Sequence, residues 1–79
     1  MYYVYVLVSE RTGRRYVGSC RDLEDRLRRH NEGRSKSTRH GVPWRLVYRE
    51  VFLTRAAAVR RERYLKNGRG REELDAILG

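Results

Sequence analysis

The sequence YYVYVLVSERTGRRYVGS, residues 2–19, predicts two strands joined by a short turn. Residues 2–8 are aromatic, β-branched or leucine throughout, which is the composition of a buried strand. Residues Ser9–Arg15 are polar and contain Gly13, as is typical of a turn, and a second strand follows over Arg15–Ser19. Because the connection is so short, we expect the two strands to pair antiparallel as a hairpin.

The next segment carries the signals of a helix over residues 22–32. Asp22 is a suitable N-cap, and Gly33 is a suitable stop after the last turn. Leu23 and Leu27 lie four residues apart and therefore share one face. The hairpin is thus expected to be followed by one amphipathic helix.

A loop and a third strand are predicted after that helix. Residues 33–43, GRSKSTRHGVP, are basic and rich in Gly and Ser with no apolar period, which predicts an exposed loop. Its length in so small a chain favours a functional role. Residues 44–52 alternate Trp44, Leu46 and Tyr48 with intervening Arg and Val residues, which is the period of a strand.

The remaining chain predicts two helices. Thr54 can cap the first, which runs to about Lys66 and is broken by Gly68 and Gly70. A short terminal helix is expected over Glu72–Leu78. The order β-β-α-β-α-α predicts an α+β fold, a small three-stranded antiparallel sheet flanked by helices.

The length and the net charge of the chain limit the classes of protein to which it can belong. The chain has 79 residues, so we expect a single domain over residues 1–79. The formal net charge is +9; residues 1–10 carry −1 and residues 72–79 carry −3, which leaves +13 on residues 11–71. This basic body indicates a polyanionic partner such as nucleic acid. The alternative is that 17 Arg against 2 Lys reflects genomic base composition.

Several classes of protein are excluded by the sequence. Cys20 is the only cysteine, and neither His30 nor His40 lies at a zinc-ligand spacing from it, so disulfide scaffolds and zinc fingers are excluded. The apolar segment Met1–Val8 is too short to span a bilayer and lacks the features of a signal peptide. We therefore expect a cytoplasmic protein with no membrane partner.

Charged residues fall on the apolar faces of both longer helices. Arg26 and His30 flank the line through the two leucines of the first helix. They either form a site or extend past the edge of the helix into solvent. Glu62 falls on the apolar side of the next helix, where an unpaired carboxylate would be costly. It either pairs with an arginine such as Arg26 or holds a cation.

Tyrosine is unusually frequent, with six in the chain. In a hairpin, Tyr5 and Tyr16 would lie side by side, with both hydroxyls at one edge of the sheet. The alternative is that they are core rings with a solvated tip.

These residues give the chain a resemblance to the GIY-YIG endonuclease family over nearly its whole length. Tyr3-Val4-Tyr5 and Tyr16-Val17-Gly18 stand where the family has its first and second motifs, although Tyr3 replaces a glycine and valine is the middle residue of each. The other segments that resemble family motifs are Gly18-Ser19 with Arg26-Leu27-Arg28-Arg29-His30, Lys36-Ser37-Thr38 with Pro43-Trp44, and Arg61-Glu62 with Leu65-Lys66.

The resemblance implies a metal-dependent endonuclease that hydrolyses phosphodiester bonds, with DNA as the expected substrate and DNA repair or recombination as the expected role. Its catalytic residues would be Tyr5, Tyr16, Arg26, His30 and Glu62. Arg26 would bind the non-bridging phosphate oxygens, and Glu62 would hold one divalent ion, Mg²⁺ or Mn²⁺. Either tyrosine could serve as the general base, with His30 orienting it or relaying its proton.

The resemblance also assigns the loop a binding role and leaves alternatives. Lys36, Arg39 and His40 are candidates for contacting the nucleic acid strand. Because this sequence carries no appended targeting domain, we expect selection by nucleic-acid shape, such as single strands or branches, or by a partner protein. The alternatives are a catalytically silent nucleic-acid-binding module and a partner-activated subunit of a repair complex.

Overall fold

Three antiparallel strands form the sheet, in the order β2-β1-β3. They are β1 (Tyr2–Ser9), β2 (Arg15–Cys20) and β3 (Trp44–Phe52). The computed structural model describes all 79 residues. The helices are α1 (Leu23–Asn31), α2 (Arg55–Leu65) and α3 (Gly68–Leu78), so the predicted α+β fold and its element order are confirmed.

The two faces of the sheet bury different sets of residues. Directly paired residues of neighbouring strands point to the same face. On one face, β1 and β2 pack against α2 and α3, forming a core cluster of Val4, Val6, Val17, Ala58, Leu65 and Leu74. The opposite face carries Tyr5 and Leu7 of β1, with Gly18 and Tyr16 of β2 as their respective partners. The candidate catalytic tyrosines therefore lie on the face away from this core.

A bulge in β3 interrupts the alternation expected from its sequence. Leu46 pairs with Leu7, but Tyr48 pairs with Val6, which leaves Val47 without a partner on β1. Because Val6 and Leu7 point to opposite faces, the extra residue moves Tyr48 to the side of α2 and α3. There Tyr48 and Val47 both pack against the core cluster.

The helix α3 begins at Gly68, so the predicted start at Glu72 is wrong. The Asn67 side chain caps it by accepting a hydrogen bond from the Gly70 N–H at 3.1 Å. A Cβ at Gly70 would lie 1.9 Å from the carbonyl oxygen of Tyr64, near the end of α2. Gly70 therefore lets two helices meet closely instead of breaking one, a requirement that local sequence patterns do not show.

The helix α1 has the caps that its sequence predicts, while the loop after it differs. The Asp22 side chain accepts from the Asp25 N–H at 3.0 Å, and Gly33 has a φ of 74°. Residues 33–43 were expected to be exposed, yet Thr38 is 1% exposed and Gly41 is buried. The loop contains a short 3₁₀ helix at 39–41 and folds back onto the sheet.

An ion-pair network at the other end of the sheet ties β3 to both C-terminal helices. The Arg61 guanidinium donates to both carboxylate oxygens of Glu50, at 2.8 and 2.9 Å, and also to Glu73. The hydroxyl of Tyr48 donates to Glu50 at 2.6 Å.

None of the helices is long and apolar enough to cross a membrane.

Candidate active site

A chain of hydrogen bonds joins Tyr5 to the loop after α1 through His30. The Tyr5 hydroxyl lies 3.0 Å from His30 Nε2, and Nδ1 of the same imidazole lies 2.7 Å from Thr38 Oγ1. All three side chains are 2% exposed or less. Both imidazole nitrogens are therefore occupied by protein partners.

Trp44 and Asn31 hold Thr38 in place from β3 and α1. The indole N–H of Trp44 donates to the Thr38 carbonyl oxygen at 2.7 Å. The Asn31 side chain donates to the Trp44 carbonyl oxygen at 3.1 Å and accepts from the Trp44 N–H at 2.6 Å. These three residues, which we call the loop anchor, connect the first strand residue of β3 to the imidazole. The loop anchor could not be predicted from the sequence, because its contacts join separate elements.

The surroundings of His30 favour a neutral imidazole with its proton on Nδ1. The Thr38 hydroxyl is directed at the Ser35 carbonyl oxygen, 3.4 Å away, so its oxygen accepts from His30 Nδ1–H. Nε2 then accepts from the Tyr5 hydroxyl. Burial lowers the pKa of His30, and the positive charge of Arg26 lowers it further.

The two tyrosines occupy different environments. Burial, followed by the neighbouring Tyr16, raises the pKa of the Tyr5 hydroxyl, against the opposing charge of Arg26. Tyr16 is half-buried, and its ring centre lies 6.2 Å from that of Tyr5 and 4.9 Å from that of His30. The prediction that the rings lie side by side is confirmed. The Tyr5 hydroxyl, however, is directed into the interior at His30 and not at the edge of the sheet.

Gly18 makes room for the Tyr5 side chain. It is the β2 partner of Tyr5, and a Cβ at this position would lie 2.5 Å from the Tyr5 hydroxyl oxygen. The glycine at the end of the second motif is therefore needed for the position of the Tyr5 ring.

Arg26 lies in a cleft of about 270 Å³ beside Tyr16 and His30. Arg29, Arg34 and Ser35 complete the lining, so the cleft is basic. Arg29 pairs with Asp25 and Arg34 with Glu32, whereas Arg26 forms no ion pair. A cation without a carboxylate partner, in a cleft that also contains the Tyr16 side chain, is suited to bind an anionic group such as phosphate.

Glu62 lies on the other face of the sheet, beneath the edge strand β2. It accepts from the Ser19 hydroxyl at 2.5 Å and from Lys66 Nζ at 2.7 Å. The hypothesis that it pairs with Arg26 is therefore wrong; its cation is one turn further along α2. Burial alone would raise the pKa of Glu62, but the hydrogen bonds from Lys66 and Ser19 outweigh it, so the pKa is lowered.

Lys66 links Glu62 to the aromatic cluster around the sheet edge. Its Nζ lies 5.8 Å from the centre of the Tyr16 ring while also bonding Glu62. The two halves of the candidate site, which lie on opposite faces of the sheet, are therefore joined by one exposed lysine at the edge of β2.

The residues present fit a single hard divalent ion at Glu62. Its ionised carboxylate is the donor type that Mg²⁺ and Mn²⁺ prefer, and Mg²⁺ commonly binds one carboxylate together with water and substrate phosphate. No group of three His, Cys, Asp or Glu side chains forms a fuller cage anywhere in the chain. An ion at Glu62 would take the place of the Lys66 ammonium, which is on a long, half-exposed side chain.

Of the three loop residues predicted to bind nucleic acid, His40 lies near this site. His40 and Tyr16 line one cleft, together with Arg14 and Arg15 of the hairpin. Lys36 and Arg39 are exposed on the same loop and form no ion pair. Their contacts with nucleic acid stay a prediction.

The fold, the tyrosine pair and the basic cleft agree with the comparison to known families, which places the chain in a family of nucleases. Residues 1–74 match the GIY-YIG catalytic domain, and the chain belongs to the GIY-YIG family, whose nucleases act on nucleic acid.

More specifically, the chain is similar to the UPF0213 proteins. It is 35% identical to one from Staphylococcus saprophyticus over 96% of this chain and 93% of that protein. It is 42% identical to one from Bacillus licheniformis over 82% of this chain and 67% of that protein. A relative from Streptococcus pyogenes is 38% identical over 96% and 83% of the two chains, respectively. No solved structure matches the chain.

Proposed function

We propose that this protein is a metal-dependent endonuclease that hydrolyses phosphodiester bonds in DNA, selects single-stranded or branched structures, and acts in cytoplasmic DNA repair or recombination. The observation that carries the proposal is the placement of the half-exposed Tyr16 beside neutral His30 and unpaired Arg26 in one basic cleft. Family membership supports the reaction class. The basic body of the chain supports a polyanionic substrate.

Tyr16 is the better candidate for the general base. Tyr5 is 1% exposed and its hydroxyl is directed at His30, so it has no access to an attacking water. Tyr16 faces three surface clefts and, as a phenolate, would accept the proton of that water. Tyr5 and His30 then act as positioning residues that fix the surface against which Tyr16 packs.

Arg26 would bind the phosphate and neutralise part of its charge. The planar guanidinium donates two parallel hydrogen bonds to the non-bridging oxygens and binds them more tightly as charge develops. A divalent ion held by Glu62 supplies further positive charge to the phosphate when bound. Lys36, Arg39 and His40 would position the strand through its phosphates.

Substitution of Glu62 tests the proposal. The wild-type protein is assayed on single-stranded DNA, duplex, flap and RNA substrates, with and without Mg²⁺ or Mn²⁺. Glu62→Gln removes a ligand charge at nearly constant shape, so cleavage should be abolished while binding survives. Glu72→Gln is the control, because Glu72 is exposed and forms no ion pair.

Each outcome has a distinct meaning. Full cleavage by Glu62→Gln, or cleavage by the wild type that resists chelation, contradicts the metal role. Binding without cleavage on every substrate contradicts the nuclease proposal and favours a silent binding module. Cleavage that begins only when a repair complex is added identifies a partner-activated subunit.

A further inference from the structure

Three surface clefts meet at the Tyr16 side chain. One contains Arg26 and His30, and a second lies between the hairpin and the loop that carries His40. The third, of about 500 Å³, lies between β2 and the corner where α2 meets α3. The proposed reaction uses the first cleft and the predicted loop contacts use the second. The third, which we call the helix-side cleft, shares Tyr16 with both, but its Arg71 and its floor have no role in either.

We propose that the helix-side cleft is a binding subsite for the nucleotide adjacent to the cleaved phosphodiester. Its phosphate would contact Arg71, and its base would lie beside Tyr16 above the apolar floor. This inference rests on the proposed function, since it takes Tyr16 as the position of the reacting phosphate.

The rim of the cleft has more positive than negative charge. Arg15, Lys66 and Arg71 line it, against a single carboxylate, Asp75. Asp75 pairs with Arg15 at 2.6 Å, and Lys66 pairs with Glu62 from behind the cleft. Arg71 is exposed and forms no ion pair. In the metal-free protein it is therefore the cation of this cleft that has no ion-pair partner and is free to bind a phosphate.

The exposed arginines of α1 are not free to bind a phosphate in the same way. Arg28 and Arg29 both pair with Asp25, and Arg28 also approaches Glu32. Arg55, Arg60 and Arg63 of α2 and Arg69 of α3 are also exposed and form no ion pair. Arg71 differs from them because it lines the helix-side cleft.

The shape and lining of the cleft suit a nucleotide. Its volume falls within the range of about 300–1,000 Å³ that is usual for small-ligand sites. Val17, Leu65 and Leu74 close the cleft from below and are 8% exposed or less, and the half-buried Tyr16 side chain forms one side. An aromatic ring accepts a base by stacking, while the charged rim accepts its phosphate.

The sheet topology allows one strand to reach this cleft and the loop-side cleft at once. The edge strand β2 pairs with β1 alone, so its outer edge has no protein strand beside it. Tyr16 and Arg15 of β2 line both clefts. A nucleic acid strand crossing this edge would therefore place nucleotides on both sides of Tyr16.

Arg71→Ala tests the phosphate contact, and Arg69→Ala is its matched control. Arg69 is an exposed arginine on the same helix, two residues away, that does not line the cleft. Binding of a fluorescent single-stranded oligonucleotide is measured with chelator present, over a range of salt concentrations. Arg71→Ala should weaken binding about fivefold or more and reduce the slope of log affinity against log salt by about 0.7, as expected for one lost phosphate. Arg69→Ala should change affinity by less than about twofold.

An abasic scan tests the base contact. A single abasic residue is moved along the oligonucleotide, and affinity for the wild-type protein is measured at each position. Loss of a base that stacks in the cleft should weaken binding about fivefold or more at one position. Equal losses at every position, or none, would overturn the assignment of a base to the cleft.

The outcomes separate this inference from the proposed nuclease activity. Cleavage by the wild type with equal effects of the two arginine substitutions refutes the subsite and leaves the nuclease intact. An Arg71-specific loss of affinity in a protein that cleaves no substrate supports the subsite and refutes the nuclease. Absence of binding to any oligonucleotide refutes both.

Discussion

Replacing Thr38 by valine should disable the proposed site while preserving the shape of the loop. Valine is similar in size to threonine but lacks the hydroxyl that lies 2.7 Å from His30 Nδ1. Thr38 is 1% exposed and His30 is 2% exposed, so little of either side chain is open to water that could replace the lost partner. A buried donor left without an acceptor costs about 1–3 kcal/mol. For a domain of this length each kcal/mol lowers the Tm by about 4–8 °C.

Thr38→Ser is the matched control, because it restores the hydroxyl and removes only a methyl group. We expect Thr38→Val to lower the free energy of unfolding by about 1–3 kcal/mol in urea titrations, and Thr38→Ser to lower it by about 1 kcal/mol or less. Cleavage by the valine variant should also fall at every pH, since the imidazole no longer has a fixed tautomer. A valine variant as stable and as active as the serine variant would refute the hydrogen-bond chain as a positioning device.

Three further predictions concern Arg26, His30 and Gly70. Arg26→Lys keeps the charge but loses the planar guanidinium with its two parallel donors, so cleavage should fall by about 10²–10³-fold with little change in Tm or affinity. Near-normal turnover would mean that Arg26 has only a structural role. Because burial lowers the pKa of folded His30, the unfolded chain takes up a proton first as the pH falls through about 6.5. Urea titrations should therefore show a stability loss below that pH that His30→Gln lacks and His40→Gln retains; an identical pH dependence in all three proteins would argue against the assigned neutral state. Gly70→Ala should destabilise the fold by about 1–3 kcal/mol or more in thermal melts, since its Cβ would meet the Tyr64 carbonyl. Gly68→Ala is the control and should not destabilise it, because nothing lies within 4 Å of a Cβ at that position. Similar melts for both variants would mean that the close approach of the helices is not required.

The local parts of the fold could be predicted from sequence because their signals lie within one element. Asp22 and Gly33 bound α1 through their own capping geometry, and the hairpin follows from strand composition and a short turn. The start of α3 could not be predicted in this way. Gly70 has low helix propensity, but its role is set by the carbonyl of Tyr64 on another helix, a tertiary contact that overrides propensity.

The candidate site shows the same division. The approach of Tyr5 to Tyr16 follows from residue parity in a hairpin, which the sequence contains. The ion pair between Glu62 and Lys66 could also have been predicted from the sequence. Residues four apart on a helix are neighbours, so Lys66 is favoured over a distant arginine. The loop anchor could not be predicted from the sequence, because Trp44 contacts Thr38 only when β3 has joined the sheet. The catalytic roles themselves stay predictions.

The loop anchor has a consequence for the order in which the protein acquires its site during synthesis. The hairpin and α1 are complete by Asn31, and a helix and a hairpin are elements that form quickly from local contacts. Thr38, however, is held by Trp44, the first residue of a strand that pairs with β1 as far as Phe52. A nascent chain that ends before Trp44 can hold both tyrosines but lacks the indole that fixes Thr38 beside the imidazole. The imidazole is therefore aligned only once the third strand has joined the sheet, and Glu62 follows later still, on α2.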